Sequence, residues 1–166
     1  GYVEEIPALM QIIAPAMKLI KTDMPSQIKK AQQLYFKYGV TTVQEGAASK
    51  QAAIGLAALA KNGLIDIDVV MYIMDEDYAD IAQQMHEYTV GKYVNHIKIG
   101  GSKIILDGSP QGKSAWLSTP YENEKEYCGY ASHDLEYVVK ACRKAIKGRY
   151  QILAHCNGDA ASEQFI

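Results

Sequence analysis

The chain has 166 residues, 48% of them hydrophobic, and a formal charge of -2, which is apolar material for one real core and too much for a disordered segment. Lys and Glu are interspersed without a basic stripe, so nucleic acid is not an expected partner. No apolar run approaches the roughly 20 residues that cross a bilayer, and the first residues lack the pattern of a secretory signal. No membrane partner is expected, and the expected location is cytoplasmic. Cys128, Cys142 and Cys156 form an odd set without CxxC spacing and are expected to be free thiols.

Asp23, Pro25 and Ser26 announce a helix with apolar residues at Ile28, Ala31, Leu34 and Tyr35, stopped by Gly39. The β-branched run Val40 to Val43 suits a strand ending near Gln44, and the Ala- and Leu-rich segment Gln51 to Asn62, closed by Gly63, suits a helix. The alternation repeats. Ile67 to Met74 is nearly all apolar, and Asp77 to Tyr88 has helical composition with Ile81 and Met85 on one face. His96 to Ile99 and Lys103 to Leu106 are separated by Gly100 and Gly101, which predicts a bend or small hairpin feeding a strand. Gly108 to Ala131 is a long irregular connection, a kind of loop that is usually functional or mobile. Ser132 to Lys147 is then expected to be a helix with Leu135, Val138, Val139, Cys142 and Ile146 inward and Gly148 as its stop, followed by a last strand, Tyr150 to Ala154.

Apolar strands alternating with amphipathic helices predict a parallel sheet covered by helices, the α/β class. Four such strands fit either an open doubly wound sheet or an arc of a (β/α)₈ barrel, which takes about 250 residues. The chain opens and closes inside helix-like stretches, so a fragment is expected.

Two segments put polar residues where a strand ends: Lys103 through Gly112, containing Asp107, Gly108, Ser109 and Gln111, and His155-Cys-Asn-Gly158-Asp159-Ala160. Ligands bind at that end of parallel strands because loops and helix N-termini converge there. Period-2 alternation puts Lys103, Ile105 and Asp107 on one face, where a buried lysine needs a partner or a modification. The plainer reading makes Lys103 the opening of a strand, Asp107-Gly108 a turn, His155 a satisfied strand-end histidine and Asp159 a helix-start residue favoured by the dipole. His86, His96 and His133 fit surface or cap positions.

Four segments resemble the amidohydrolase superfamily, and in particular its third family, which holds N-substituted formamide deformylases and related amide or imide hydrolases. They are Gly1-Tyr-Val-Glu4-Glu5, Gly39-Val-Thr-Thr-Val-Gln44-Glu45-Gly46, Lys103 through Gly112 with Ala115 and Pro120-Tyr121, and His155 through Ala160. The resemblance implies a partial (β/α)₈ barrel, about strands two to five with their helices, so residues 1–166 are expected to be one fragment of a barrel domain. It implies that His155 is a metal ligand, that Lys103 is the lysine carboxylated in many relatives to bridge two metals, and that the divalent metal is zinc. A dication held by imidazole and carboxylate or carbamate oxygen makes bound water acidic and polarises a scissile carbonyl. A His-x-His pair, a later histidine and the catalytic aspartate are expected outside these residues.

Gln44, Asp107, Ser109, Gln111, Trp116 and Tyr121 are candidates to line a small-molecule substrate's pocket, with Asp159 behind them. Asp107 is equally readable as an orienting residue or turn former, and Trp116 and Tyr121 as loop packing. Two other functions remain open. One is a non-catalytic small-molecule-binding domain, although no Gly-x-Gly-x-x-Gly or P-loop follows any strand. The other is a structural fragment that associates with its own copies, because a half-barrel exposes sheet edges and an apolar face.

Overall fold

The computed structural model describes residues 5–17, 19–20, 23–88 and 91–166. They fall into two units. One comprises Pro25–Ile105 and His133–His155; the other comprises the described residues of 1–24 with Leu106–Ser132 and Cys156–Ile166.

The first unit is built on a sheet of four parallel strands, β1 (Thr42–Ala48), β2 (Asp68–Met74), β3 (Ile97–Ile105) and β4 (Gln151–His155), in the spatial order β1-β2-β3-β4. Every neighbour in space is a neighbour in sequence. A doubly wound sheet reverses its order at a switch point, whereas a barrel does not, so the α/β fold is a partial barrel.

β1 runs further than its composition predicts. Glu45, Gly46, Ala47 and Ala48 have little intrinsic strand preference, yet Glu45 pairs with Met71 and Ala48 with Ile73 across a register shift. The Glu45 carboxylate supports the irregularity by accepting the Ala47 amide at 3.1 Å. Gly100 and Gly101 likewise make no hairpin. They lie inside the single strand β3, where the register with β2 passes from Met71↔Ile99 to Tyr72↔Gly101 and leaves Gly100 as the extra residue of a bulge. A Cβ on Gly100 would meet Val70 Cγ1 at 2.7 Å, and one on Gly101 would sit 1.8 Å from the Gln151 carbonyl oxygen.

The first unit also contains α2 (Met24–Lys37, from Pro25 onward), α3 (Lys50–Lys61), α4 (Asp75–Gln84), a 3₁₀ turn His86–Tyr88 and α5 (Leu135–Gly148). Ser49 caps α3 through its hydroxyl and Asp134 caps α5 by accepting the Tyr137 amide at 2.8 Å. Val69, Met71, Ile73, Ile97 and Ile99 from one sheet face join Ala53, Ala60, Ile81 and Met85 from the helix side in the core. Gln32 of α2 is buried because its amide reads the approach to β2: Oε1 accepts from Asp66 and Ile67, and Nε2 donates to the Leu64 carbonyl at 2.9 Å.

The helix α5 faces the core differently from the sequence expectation. Val138, Ala141 and Ala145 are buried, while Leu135 is 59% and Ile146 is 77% exposed, Val139 is exposed and Cys142 is half-buried. Small residues let the helix sit close to the sheet, and the bulkier stripe therefore lies outward. Arg149, not Gly148, takes the left-handed closing position, with φ 54°.

The second unit contains α1 (Glu5–Met17), the connection Leu106–Ser132 and α6 (Asp159–Phe165). The connection is ordered by its own backbone. Leu117 N donates to Cys128 O, Tyr121 N to Tyr127 O, and Ser132 N returns to Leu106 O at 2.7 Å. Gly129, at φ 76°, lets the returning arm pass Ala115, whose carbonyl oxygen a Cβ would meet at 2.0 Å.

Candidate functional site

In the sheet unit, Lys103 is the seventh of nine residues of β3 and is 8% exposed. It does not open the strand, so the plainer reading of an exposed strand start is removed. His155 ends β4 and is half-buried. Lys103 pairs with Leu153 and Ile105 with His155. Paired residues of parallel strands share a face, and so do residues two apart on one strand, so Lys103, Ile105 and His155 lie on one side of the sheet toward its C-terminal edge. This is the side opposite the helix-covered core residues Ile97 and Ile99.

Gln44 shares that side but not that end. It is the third residue of β1, pairs with Val70, and lines a cavity of about 360 Å³ with Thr42, Tyr72, Lys98, Gly100 and Gln151. The strand-end position expected of Gln44 is not observed, because β1 continues to Ala48. In the same cavity the Tyr72 hydroxyl donates to the Gln151 side-chain oxygen.

In the other unit, Asp107 is 1% exposed and its carboxylate accepts three backbone amides: Asn157 on Oδ1 at 2.8 Å, and Trp116 at 3.0 Å and Gly158 at 2.6 Å on Oδ2. Three amide donors are what a buried carboxylate needs, and they make Asp107 an anchor of the loop. Asn157 adds a bond from its side-chain nitrogen to the Gly108 carbonyl at 2.8 Å.

Ser109 closes a small turn, its amide donating to Ser114 Oγ and its hydroxyl to the Gln111 side-chain oxygen, with Gln111 itself exposed. Trp116 is half-buried. The Tyr121 hydroxyl donates to the Ala115 carbonyl at 2.8 Å and its ring stacks on Tyr127. Asp159 accepts both the amide and the hydroxyl of Ser118, and the hydroxyl above all holds its carboxyl below the usual range. Asp159 thus tethers the connection as well as starting α6.

The other histidines stay peripheral. His86 and His96 are exposed, His96 pairing with Asp68 at 2.9 Å, and His133 stacks on Tyr137. Cys128, Cys142 and Cys156 are half-buried, and no disulfide joins them. Asp75 was not singled out from sequence: buried at the start of α4, it accepts the Tyr137 hydroxyl at 3.3 Å and Lys144 Nζ at 3.4 Å. No local pattern distinguishes it from the acidic helix starts that the dipole ordinarily favours.

The sequence model of the amidohydrolase family matches residues 1–166, the whole chain. The chain belongs to the amidohydrolase family. Among individual proteins it is 31% identical over 71 residues to YtcJ of Bacillus subtilis (strain 168), assigned to the amidohydrolases, a stretch covering 43% of this chain and 13% of that one. An uncharacterized metal-dependent hydrolase from Pyrococcus horikoshii OT3 superposes with a TM-score of 0.71 at 25% identity, over 82% of this chain and 28% of the other. One from Pyrococcus furiosus gives 0.72 at 22% identity, over 84% and 29%. The chain therefore spans less than a third of the length of each. Family and fold agree with the resemblance drawn from the strand-end motifs.

Membership raises the question of metal. Among the described residues no group of three or more His, Cys, Asp or Glu side chains could hold an ion. A catalytic zinc takes three protein ligands and a water; the His155 imidazole is a suitable donor, while the Lys103 amine is one only as a carbamate. The residues present do not make up a complete metal site. No helix among the described residues is long and apolar enough to cross a membrane.

Proposed function

We propose that this chain is part of a metal-dependent hydrolase that cleaves a C–N bond in a small amide, imide or formamide by attack of water, and that residues 1–166 form one piece of a single barrel domain. What supports the reading is the placement of His155 and Lys103 on one face of the sheet toward the C-terminal edge, the edge at which parallel barrels hold their chemistry. His155 is the metal ligand this chain contributes, and Lys103 is a second only if carboxylated. Zinc is the metal of this reading; when bound it makes water nucleophilic and polarises the carbonyl. Ser109, Gln111, Trp116 and Tyr121 contact substrate, and Asp159 holds Ser118 in the same loop. The fragment by itself binds zinc weakly and hydrolyses nothing, because one imidazole and one amine leave a dication short of donors.

A second part of the reading concerns assembly and place. β1 and β4 are sheet edges, and the side carrying Val70 and Leu153 has no helix layer of its own among the described elements of the sheet unit, so copies of the chain associate. Three cysteines with no disulfide among them suit the cytoplasm. The ligand assignment is tested by nuclear magnetic resonance of the four imidazoles during zinc titration. His155 should respond ahead of His86, His96 and His133; an equal response from all four would remove its special role.

A further inference from the structure

The carboxylate of Asp107 is buried and collects amides from two segments that lie far apart in sequence, Trp116 on one side and Asn157 with Gly158 on the other. Gly158 completes the joint sterically: a Cβ there would stand 1.7 Å from the Trp116 carbonyl oxygen and 2.9 Å from its nitrogen, so the turn and the tryptophan backbone touch with no room between them. The Trp116 peptide is thus gripped on both sides, by hydrogen bonding at its amide and by contact at its carbonyl. Asp159 repeats the tie two residues further along by taking the amide and hydroxyl of Ser118.

We propose that Asp107 is a positioning residue, which touches no substrate but fixes the Trp116 wall against the Asn157–Gly158 turn. The connection Leu106–Ser132 is accordingly a set wall at this point and not a mobile lid. The proposal deepens the functional reading above, since it rests on that reading for Trp116 as a substrate contact; the clamp itself does not depend on metal.

Asparagine at 107 keeps the shape and removes the charge, but its amide nitrogen would confront an N–H donor on one side or the other, so one or two of the three amides lose their acceptor. Trp116 is the single tryptophan of the chain and reports the outcome directly. In the unmodified protein, the amides of Trp116, Asn157 and Gly158 should exchange with solvent slowly and at a common rate. In Asp107→Asn their protection should fall by about 10- to 100-fold, as loss of hydrogen bonds to a charged acceptor entails. Trp116 emission should shift to the red and become more accessible to acrylamide while far-ultraviolet dichroism is retained. If Asp107→Asn fails to fold, Gly158→Ala decides, because it displaces the Trp116 carbonyl and leaves Asp107 in place; it should shift the same emission. Free exchange of the Trp116 amide in the unmodified protein, or unchanged Trp116 emission in either folded variant, overturns the proposal. If zinc fails to reach His155 while Asp107→Asn still frees Trp116, the functional reading falls and the clamp stands.

Discussion

Replacing Gly101 with alanine should break the β3–β4 pairing that puts Lys103 and His155 on one face of the sheet. The added Cβ would lie 1.8 Å from the Gln151 carbonyl oxygen, 2.6 Å from its carbon and 3.1 Å from the Gln151 Cα, all backbone atoms that no rotamer change can move. β4 must retreat, and the first pairs of its ladder, Gly101↔Gln151 and Ser102↔Ile152, go with it. Two ladder bonds at about 1 kcal/mol each and overpacking of about 1–3 kcal/mol give a loss of roughly 3–5 kcal/mol. With a urea slope of about 1–3 kcal/mol per molar, the midpoint should fall by at least about 1 M. Gly55 is the control. It sits inside α3 with nothing within 4 Å of a built Cβ, so Gly55→Ala should stabilise by about 0.5–1 kcal/mol through helix propensity. Urea denaturation followed by circular dichroism measures both. Opposite signs support the close approach of β4 to Gly101; a Gly101→Ala midpoint equal to that of the unmodified chain refutes it.

Gln32→Ala should cost about 2 kcal/mol by thermal denaturation, because it strips acceptors from the Asp66 and Ile67 amides and a donor from the Leu64 carbonyl. Ile146→Lys should change stability by less than about 0.5 kcal/mol, since the side chain is 77% exposed, whereas an inward-facing Ile146 would make it a large loss. Burial, above all, pushes the phenols of Tyr78 and Tyr137 up to about 12. A raised folded value means that their contribution is intact below the ordinary tyrosine pKa near 10 and is lost as pH climbs from about 10 toward 12. Tyrosinate absorbance and unfolding should therefore rise together in that window, and early ionisation of all tyrosines in a folded chain would contradict the burial. Sedimentation velocity should show a dimer or larger species, and a monodisperse monomer would remove the association argument.

The order of the fold was legible because hydrophobic runs and helix stops alternate so regularly: Ile67 to Met74 lies within one residue of β2, and Gly63 closes α3 as expected. What sequence hides is decided by pairing. Gly100-Gly101 reads as a bend in isolation and becomes a bulge only because β2 and β4 hold Ile99 and Ser102 on either side. Glu45 to Ala48 joins β1 for the same reason. Along α5 the hydrophobic pattern identified a helix and mistook its buried side, since Ala141 and Ala145 carry little hydrophobic weight yet permit the closest approach. Lys103 and Ile105 could be placed on one face by alternation, but setting His155 on that face takes the β3–β4 register, and the three amides on Asp107 come from residues up to 51 positions away, beyond any local pattern.

The most direct test of the account is calorimetric titration of the chain with zinc, alongside His155→Ala. One imidazole donor and an amine predict a dissociation constant on the order of 0.1 mM or weaker, about -5.5 kcal/mol, and its further loss in the variant. Tight stoichiometric binding that survives His155→Ala would contradict the assignment of the metal to this strand end.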